Sequence, residues 1–211
     1  MAHVSAPEDL ALHGVRVLGY ATPSRIAERY GLDAGATRES LLDFEARGWV
    51  RRFSFAETSG WSLTEAGRTE NERRLNAELD QARARHAATS AHAAFLPLNR
   101  RLGAACTDWQ VRPAPADPIA LNDHTDWRWD ERVLRALASL DTAFRDLCDD
   151  LASSLARFAA YPGLFSTALR QAQQGQRDWV DAPDRDSCHL VWIQFHEDLL
   201  ATLGIPRGTD T

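Results

Sequence analysis

Three groups of residues in this chain could do chemistry. The first is polar and aromatic: Trp109, then Asn122-Asp123-His124-Thr125-Asp126-Trp127-Arg128-Trp129. The second is Arg177-Asp178-Trp179 with His189, Trp192 and His196. His189, Trp192 and His196 stand at i, i+3 and i+7, which places them on one face of a helix. If that face closes over the Asn122–Asp126 loop, it makes an aromatic cavity with a few polar groups, the make-up of a small-molecule effector site. The candidate ligand-binding residues are therefore Trp109, Asn122, Asp123, His124, Trp127, Trp129, Trp179, His189, Trp192 and His196. The third group is a set of arginines near the N-terminus, Arg25, Arg29, Arg38, Arg51 and Arg52, suited to phosphate oxygens and guanine edges.

Metal and covalent chemistry fit less well. Asp123, His124, His189 and His196 are plausible metal ligands by type. Seven residues of helix, however, separate His189 from His196 by roughly 10 Å, too far to share one ion with bonds near 2 Å. His196-Glu197-Asp198-Leu199-Leu200 lacks the second His of H-E-x-x-H. The sequence holds no G-x-S-x-G, no G-x-G-x-x-G and no phosphate-cradling glycine loop. The expectation is a protein that is not an enzyme and uses no metal or cofactor. The bland counterpart is that the Trp and His residues close a helical core, their polar atoms satisfied by Asp, Arg and caps.

The totals set bounds on all of this. At 211 residues the chain has room for one large domain or two small ones, and an apolar fraction of 44% with seven Trp implies a folded core. Net charge is −6, and all 24 basic residues are Arg. Neither half is a polycation, so nucleic-acid binding would have to come from local placement of Arg. Cys106, Cys148 and Cys188 are odd in number and widely spaced, which implies buried reduced thiols and not a disulfide framework. The N-terminus lacks a signal-peptide pattern, and no apolar run approaches the ~18 residues of a membrane span. The expected location is cytoplasmic, with no membrane partner.

Several elements must position these residues. Leu10, Leu12, Val15, Val17 and Leu18 predict a first helix ending near Gly19. Thr22-Pro23 forms a cap and first-turn pair for a second helix, Gly31 supplies a turn, and Asp33 caps a third helix closed by Gly48. On the third helix Thr37, Leu41 and Phe44 mark the buried stripe. Residues 51–63 read as two strands around a tip of Glu57-Thr58-Ser59-Gly60, with Phe53 and Phe55 alternating on one and Trp61 and Leu63 on the other. A single helical run from Thr64 to about Phe95 carries Leu75, Leu79, Ala82 and His86 on one face, and Pro97 weakens its continuation. Residues 110–126, with three Pro, form a linker or an ordered loop. Val133, Leu137, Leu140, Phe144, Leu147, Leu151, Leu155 and Phe158 then predict one helix of about eight turns, stopped by Tyr161-Pro162-Gly163. Shorter helices cover Leu164–Gln174 and Asp186–Leu203.

The face of the third helix opposite its buried stripe holds Gly35, Ala36, Arg38, Glu39 and Asp43. Arg38 could grip a guanine edge, while Glu39 and Asp43 would meet the negative potential of a DNA groove. The candidate DNA-binding residues are Arg25, Arg29, Gly35, Ala36, Arg38, Glu39, Arg51 and Arg52.

This region resembles the MarR- and PadR-type winged helix-turn-helix transcriptional regulators. The matching pieces are Ser24-Arg25-Ile26-Ala27 with Gly31-Leu32, Leu42-x-x-Glu45-x-x-Gly48-Trp49-Val50, and Trp61-Ser62-Leu63-Thr64-Glu65-Ala66-Gly67-Arg68. The resemblance covers about a third of the chain and implies a dimeric repressor or activator whose DNA affinity changes with a ligand. Many MarR relatives place Arg at the wing tip, where this chain has Glu57. The whole chain is also similar to an actinobacterial domain type found alone or beside modules related to phosphoenolpyruvate-using enzymes. That similarity lies in His13–Tyr20, Leu121–His124, Arg177–Trp179 and His196–Gly204, and it implies no defined activity.

The fold class expected is mainly α: three helices and a two-stranded wing, joined by a long helix to an all-α C-terminal domain. The expected division is 1–75 winged helix, 76–109 linker or dimerisation helix, and 110–211 helical sensing or dimerisation domain. The expected partners are double-stranded DNA, a second copy of the chain as a homodimer, and a small-molecule effector. Two other functions fit the same residues: a winged-helix interaction module that regulates a partner enzyme without binding DNA, and a small-molecule binding protein with a vestigial winged helix.

Overall fold

The computed structural model describes residues 1–55 and 58–208, so the tip residue Glu57 lies outside the described residues. The chain is mainly helical with one small antiparallel sheet. In order it forms α1 (Pro7–Leu18), α2 (Pro23–Tyr30), α3 (Ala34–Ala46), β1 (Val50–Phe55), β2 (Thr58–Leu63), α4 (Glu65–Ala82), α5 (Arg85–Gln110), α6 (Trp127–Ala152), α7 (Tyr161–Gln173) and α8 (Cys188–Leu203). Two compact units result. Among the described residues, the first joins 1–88, 153–157 and 196–208; the second joins 89–152 and 158–195. The linear division at 75/76 and 109/110 does not follow these units, because segments remote in sequence complete the first one.

In the first unit, local chemistry sets the helix ends. The Thr22 hydroxyl accepts from Arg25 N at 3.2 Å, and the Asp33 carboxylate accepts from Ala36 N at 2.8 Å. Between them Gly31 sits at φ 64°, ψ 34°, the left-handed conformation that glycine adopts without steric cost. Leu12, Val15, Ile26, Leu41, Phe44, Val50 and Trp61 form the core that these helices share with the sheet. The strands pair Val50 with Leu63 and Arg52 with Trp61, and β2 also exchanges two backbone hydrogen bonds with Ala21. Phe53 pairs with Gly60 on the opposite sheet face from Trp61 and is 40% exposed, so Phe53 and Trp61 do not share one apolar face.

Two predicted helices end early. The run from Thr64 breaks at Arg83, which adopts φ 50°, ψ 35°, with Ala84 N bonded back to Leu79 O at 3.0 Å. This is a left-handed helix end built without glycine, and Arg85 reinforces it by reaching Asp80 at 2.9 Å. The buried stripe then resets to Ala84, Ala88, Ala91 and Phe95, leaving His86 exposed. Pro97 stays inside α5, its cost of about 3 kcal/mol opposed by burial of Phe95, Leu102 and Trp109 along the same helix. α6 stops at Ala152, before Leu155 and Phe158, because His3 draws the next residues into backbone bonds with Ser154 and Ala156. Tyr161-Pro162-Gly163 opens α7 instead of stopping a helix, with Pro162 at its first turn.

The second unit is closed by an aromatic cluster. Trp192 packs on Phe95 at 5.1 Å and Phe144 at 4.6 Å between ring centroids, and Phe195 meets Phe144 and Tyr161 edge-on. Among the described residues no helix is long and apolar enough to cross a membrane.

The start of α4 gives a test of close packing. Thr64 accepts from Gly67 N and its own N–H bonds Trp49 O at 3.0 Å, which brings the helix against that carbonyl. A Cβ on Gly67 would lie 1.8 Å from Trp49 O. In an open helix Gly→Ala stabilises by up to about 1 kcal/mol. Here Gly67→Ala is expected to destabilise by about 1–3 kcal/mol, as overpacked sites do, read as a lower urea midpoint at unchanged slope.

Candidate functional site

The face of α3 away from the core carries Gly35, Ala36, Arg38, Glu39 and Asp43, all exposed, with Leu42 at 39% exposure among them. Thr37, Leu41 and Phe44 are buried on the other side. Arg38 and Arg51 have no ion-pair partner among the described residues, and Arg51 stacks over Phe53 at 4.5 Å. Arg25 is held by Glu28 at 3.2 Å, and Arg52 by Glu45 at 3.0 Å while lying over Trp61. Arg29 is a correction: it is 8% exposed with its terminal nitrogens buried, so it cannot reach a phosphate. Its place on the inner face of α2 explains this. Arg47, not singled out from the sequence, is exposed at the end of α3 and stacks 4.9 Å over Trp49.

In the second unit, part of the expected ligand cluster does assemble. Asn122 Nδ2 donates to Trp109 O at 3.0 Å and to Asp130 Oδ1 at 2.9 Å. His124 Nδ1 lies 3.0 Å from both Asp130 oxygens, and its ring packs 4.6 Å from Trp109. His124 is held at φ 57° by these contacts. Trp129 Nε1 donates to Asp108 O at 2.6 Å. Asp130, which organises the group, carried no motif signal.

Other members of the expected cavity lie elsewhere. Asp123 is exposed, bonded by Thr125 and facing Arg112 at 3.9 Å; those Thr125 bonds, then the Arg112 charge, hold its carboxyl below the usual range. Trp127 is 64% exposed, and Trp179 Nε1 donates to Gln176. Trp192 is a correction: at 1% exposure, with Nε1 donating to Asn99 at 3.0 Å, it closes the aromatic core. His189 and His196 are half-buried, and His196 counts with the first unit, so the expected shared face is divided. Among the described residues no group of three or more His, Cys, Asp or Glu could hold a metal ion. The three cysteines are buried; burial pushes the Cys106 thiol up to about 12, with Asp181 adding to it.

The densest polar site was not anticipated. In the first unit Arg157, its side chain 1% exposed, donates from Nε to Asp198 at 3.2 Å, from Nη2 to Thr202 Oγ1 at 2.6 Å, and from Nη1 to Glu78. Burial opposes its charge, but Asp198 and then Glu78 outweigh that and raise its pKa. His13 Nε2 lies 2.9 Å from Asp198, off the axis of a ring N–H bond, and its Nδ1 faces Asn71 at 3.4 Å. Burial first, and the Asp198 charge second, lift the Tyr30 phenol well above its ordinary range. His13, Glu78, Arg157 and Asp198 are too far apart in sequence for spacing to link them. The one signal is Arg157, a charge set between Leu155-Ala156 and Phe158-Ala159.

Comparison with family models, with curated proteins and with solved structures gave no match.

Asp198→Leu leaves Arg157 and His13 facing a lost carboxylate, and a loss of about 3–5 kcal/mol in urea unfolding is expected. The triple variant Arg157→Met, Asp198→Leu, Glu78→Gln should regain much of it, since replacing a whole buried charge cluster costs less than removing one partner. A triple variant no more stable than the single would refute a mainly charge-compensating role.

Proposed function

We propose that the first unit contains a winged helix-turn-helix, with α2 and α3 as the helical pair and β1–β2 as the wing, and that the protein is a DNA-binding transcriptional regulator. The observation that carries this reading is the division of α3: Thr37, Leu41 and Phe44 anchor it, while Ala36, Arg38 and Glu39 face solvent near its N-terminus. Recognition helices present that portion to base edges. On this reading Arg38 meets guanine, and Arg51 and Arg47 meet phosphates at the flanks. A homodimer would supply two such helices, about 34 Å apart for half-sites one turn of DNA apart.

One observation favours the second reading, a winged-helix module that docks on a partner protein. Arg25 and Arg52 are paired with Glu28 and Glu45, and Glu39 and Asp43 add negative charge to the outer face of α3. The net field there is not strongly basic, and nonspecific DNA affinity rises with the number of phosphates neutralised.

Fluorescence anisotropy with duplex DNA from upstream of the protein's own gene, beside a scrambled duplex and across a salt series, separates the two. The DNA reading expects preferential binding that weakens with salt. Arg38→Ala should lose about 1–3 kcal/mol and relax sequence preference, while Arg51→Ala should lower the salt slope by about one. Absence of binding at low salt in the presence and absence of candidate effectors would favour the docking module.

A further inference from the structure

Three arginines from three separate segments converge on one carboxylate at a surface pocket of the first unit. Arg16 of α1, Arg68 of α4 and Arg207 beyond α8 surround Glu197 of α8. Arg16 Nε donates to Glu197 Oε1 at 2.9 Å, and its Nη1 pairs with Glu72 at 2.9 Å. Arg68 and Arg207 each stand 3.7 Å from Glu197, beyond the 2.7–2.9 Å of a charge-assisted hydrogen bond. Their side chains are 48% and 60% exposed, and their guanidinium donors are only loosely engaged. Arg16, at 6% exposure, is held in place. Leu200, Ile205 and Pro206 add an apolar wall to a cavity of about 250 Å³.

We propose that this pocket binds a small organic monocarboxylate with a short apolar tail. Glu197 already occupies the position of such a ligand, bonded by Arg16 and within 3.7 Å of the other two guanidiniums. Three guanidiniums against Glu72 and Glu197 leave one excess positive charge, which a monoanion neutralises and a phosphate dianion overshoots. The apolar wall suits an alkyl or aryl tail and gives nothing to a fully hydrated inorganic anion. The volume lies just below the roughly 300–1,000 Å³ of sites for drug-sized ligands, so the ligand is smaller than those. Arg68 and Arg207 close on the incoming carboxylate, and Glu197 gives way. The inference stands apart from DNA binding and is tested without DNA.

Isothermal titration of the full chain with hexanoate, at ionic strength fixed by chloride, is compared with n-hexanol and with inorganic phosphate. Saturable hexanoate binding is expected, with hexanol and phosphate at least tenfold weaker. Arg68→Gln with Arg207→Gln should weaken hexanoate roughly tenfold or more, from two lost charge-assisted bonds. Because both side chains are exposed, the variant should keep its wild-type melting temperature. Glu197→Gln removes the internal competitor and should bind hexanoate more tightly than wild type. Hexanoate heats no larger than those of hexanol in both wild type and Glu197→Gln would overturn the proposal. So would phosphate binding better than hexanoate, or undiminished binding by the folded double arginine variant.

Discussion

A guanidinium stripped of water must be met on every side that carries a proton, and Arg157 imposes this demand on the first unit. Transferring such an ion into the interior costs several kcal/mol unless partners replace its hydration. Glu78 of α4 and, one turn apart on α8, Asp198 and Thr202 are those partners. Asp198 in turn faces His13 on α1. The cluster therefore ties α1, α4, the 153–157 segment and the end of α8 into one body. Apolar packing could bring these elements near one another; the charges decide which turn of each helix meets which.

That constraint bears on the proposed reading helix. α1 packs against both α2 and α3, so the helix that holds His13 and Arg16 also backs the inner, anchored face of α3. Glu197 and Asp198 are adjacent on α8, so one helical turn carries both the surface arginine cluster and the buried one. The electrostatics of α3 are modest by comparison. Arg38 has acidic neighbours, and two of the flanking arginines are neutralised by carboxylates of their own unit. The proposed reading of DNA by α3 would therefore have to rest on geometry and on the proposed second copy more than on a broad positive field.

Much of the local architecture was legible in the residues. Thr22, Gly31 and Asp33 announced the α2–α3 turn because capping chemistry acts over three or four residues. The stripe Val133 to Leu151 announced α6 because a helix repeats every 3.6 residues. The break at Arg83 was silent, since a left-handed helix end without Gly leaves no mark in the sequence. The halt of α6 at Ala152 was silent for another reason: Leu155 and Phe158 keep the helical spacing, and only the backbone pairing with His3 draws the chain away.

The sites divide along the same line. The sequence by itself determined which α3 residues face out, that Asn122 and His124 sit near Trp109, and that the cysteines are buried, because each depends on local period or residue type. Only the tertiary structure decided that Trp192 is core, that Arg29 is turned inward, and that Asp130 orders the His124 loop. It alone brought Arg157 to Asp198 and Arg207 to Glu197. Spacing rules act within a helix or a hairpin, whereas a charge is neutralised by whatever the folded chain places a few ångströms away.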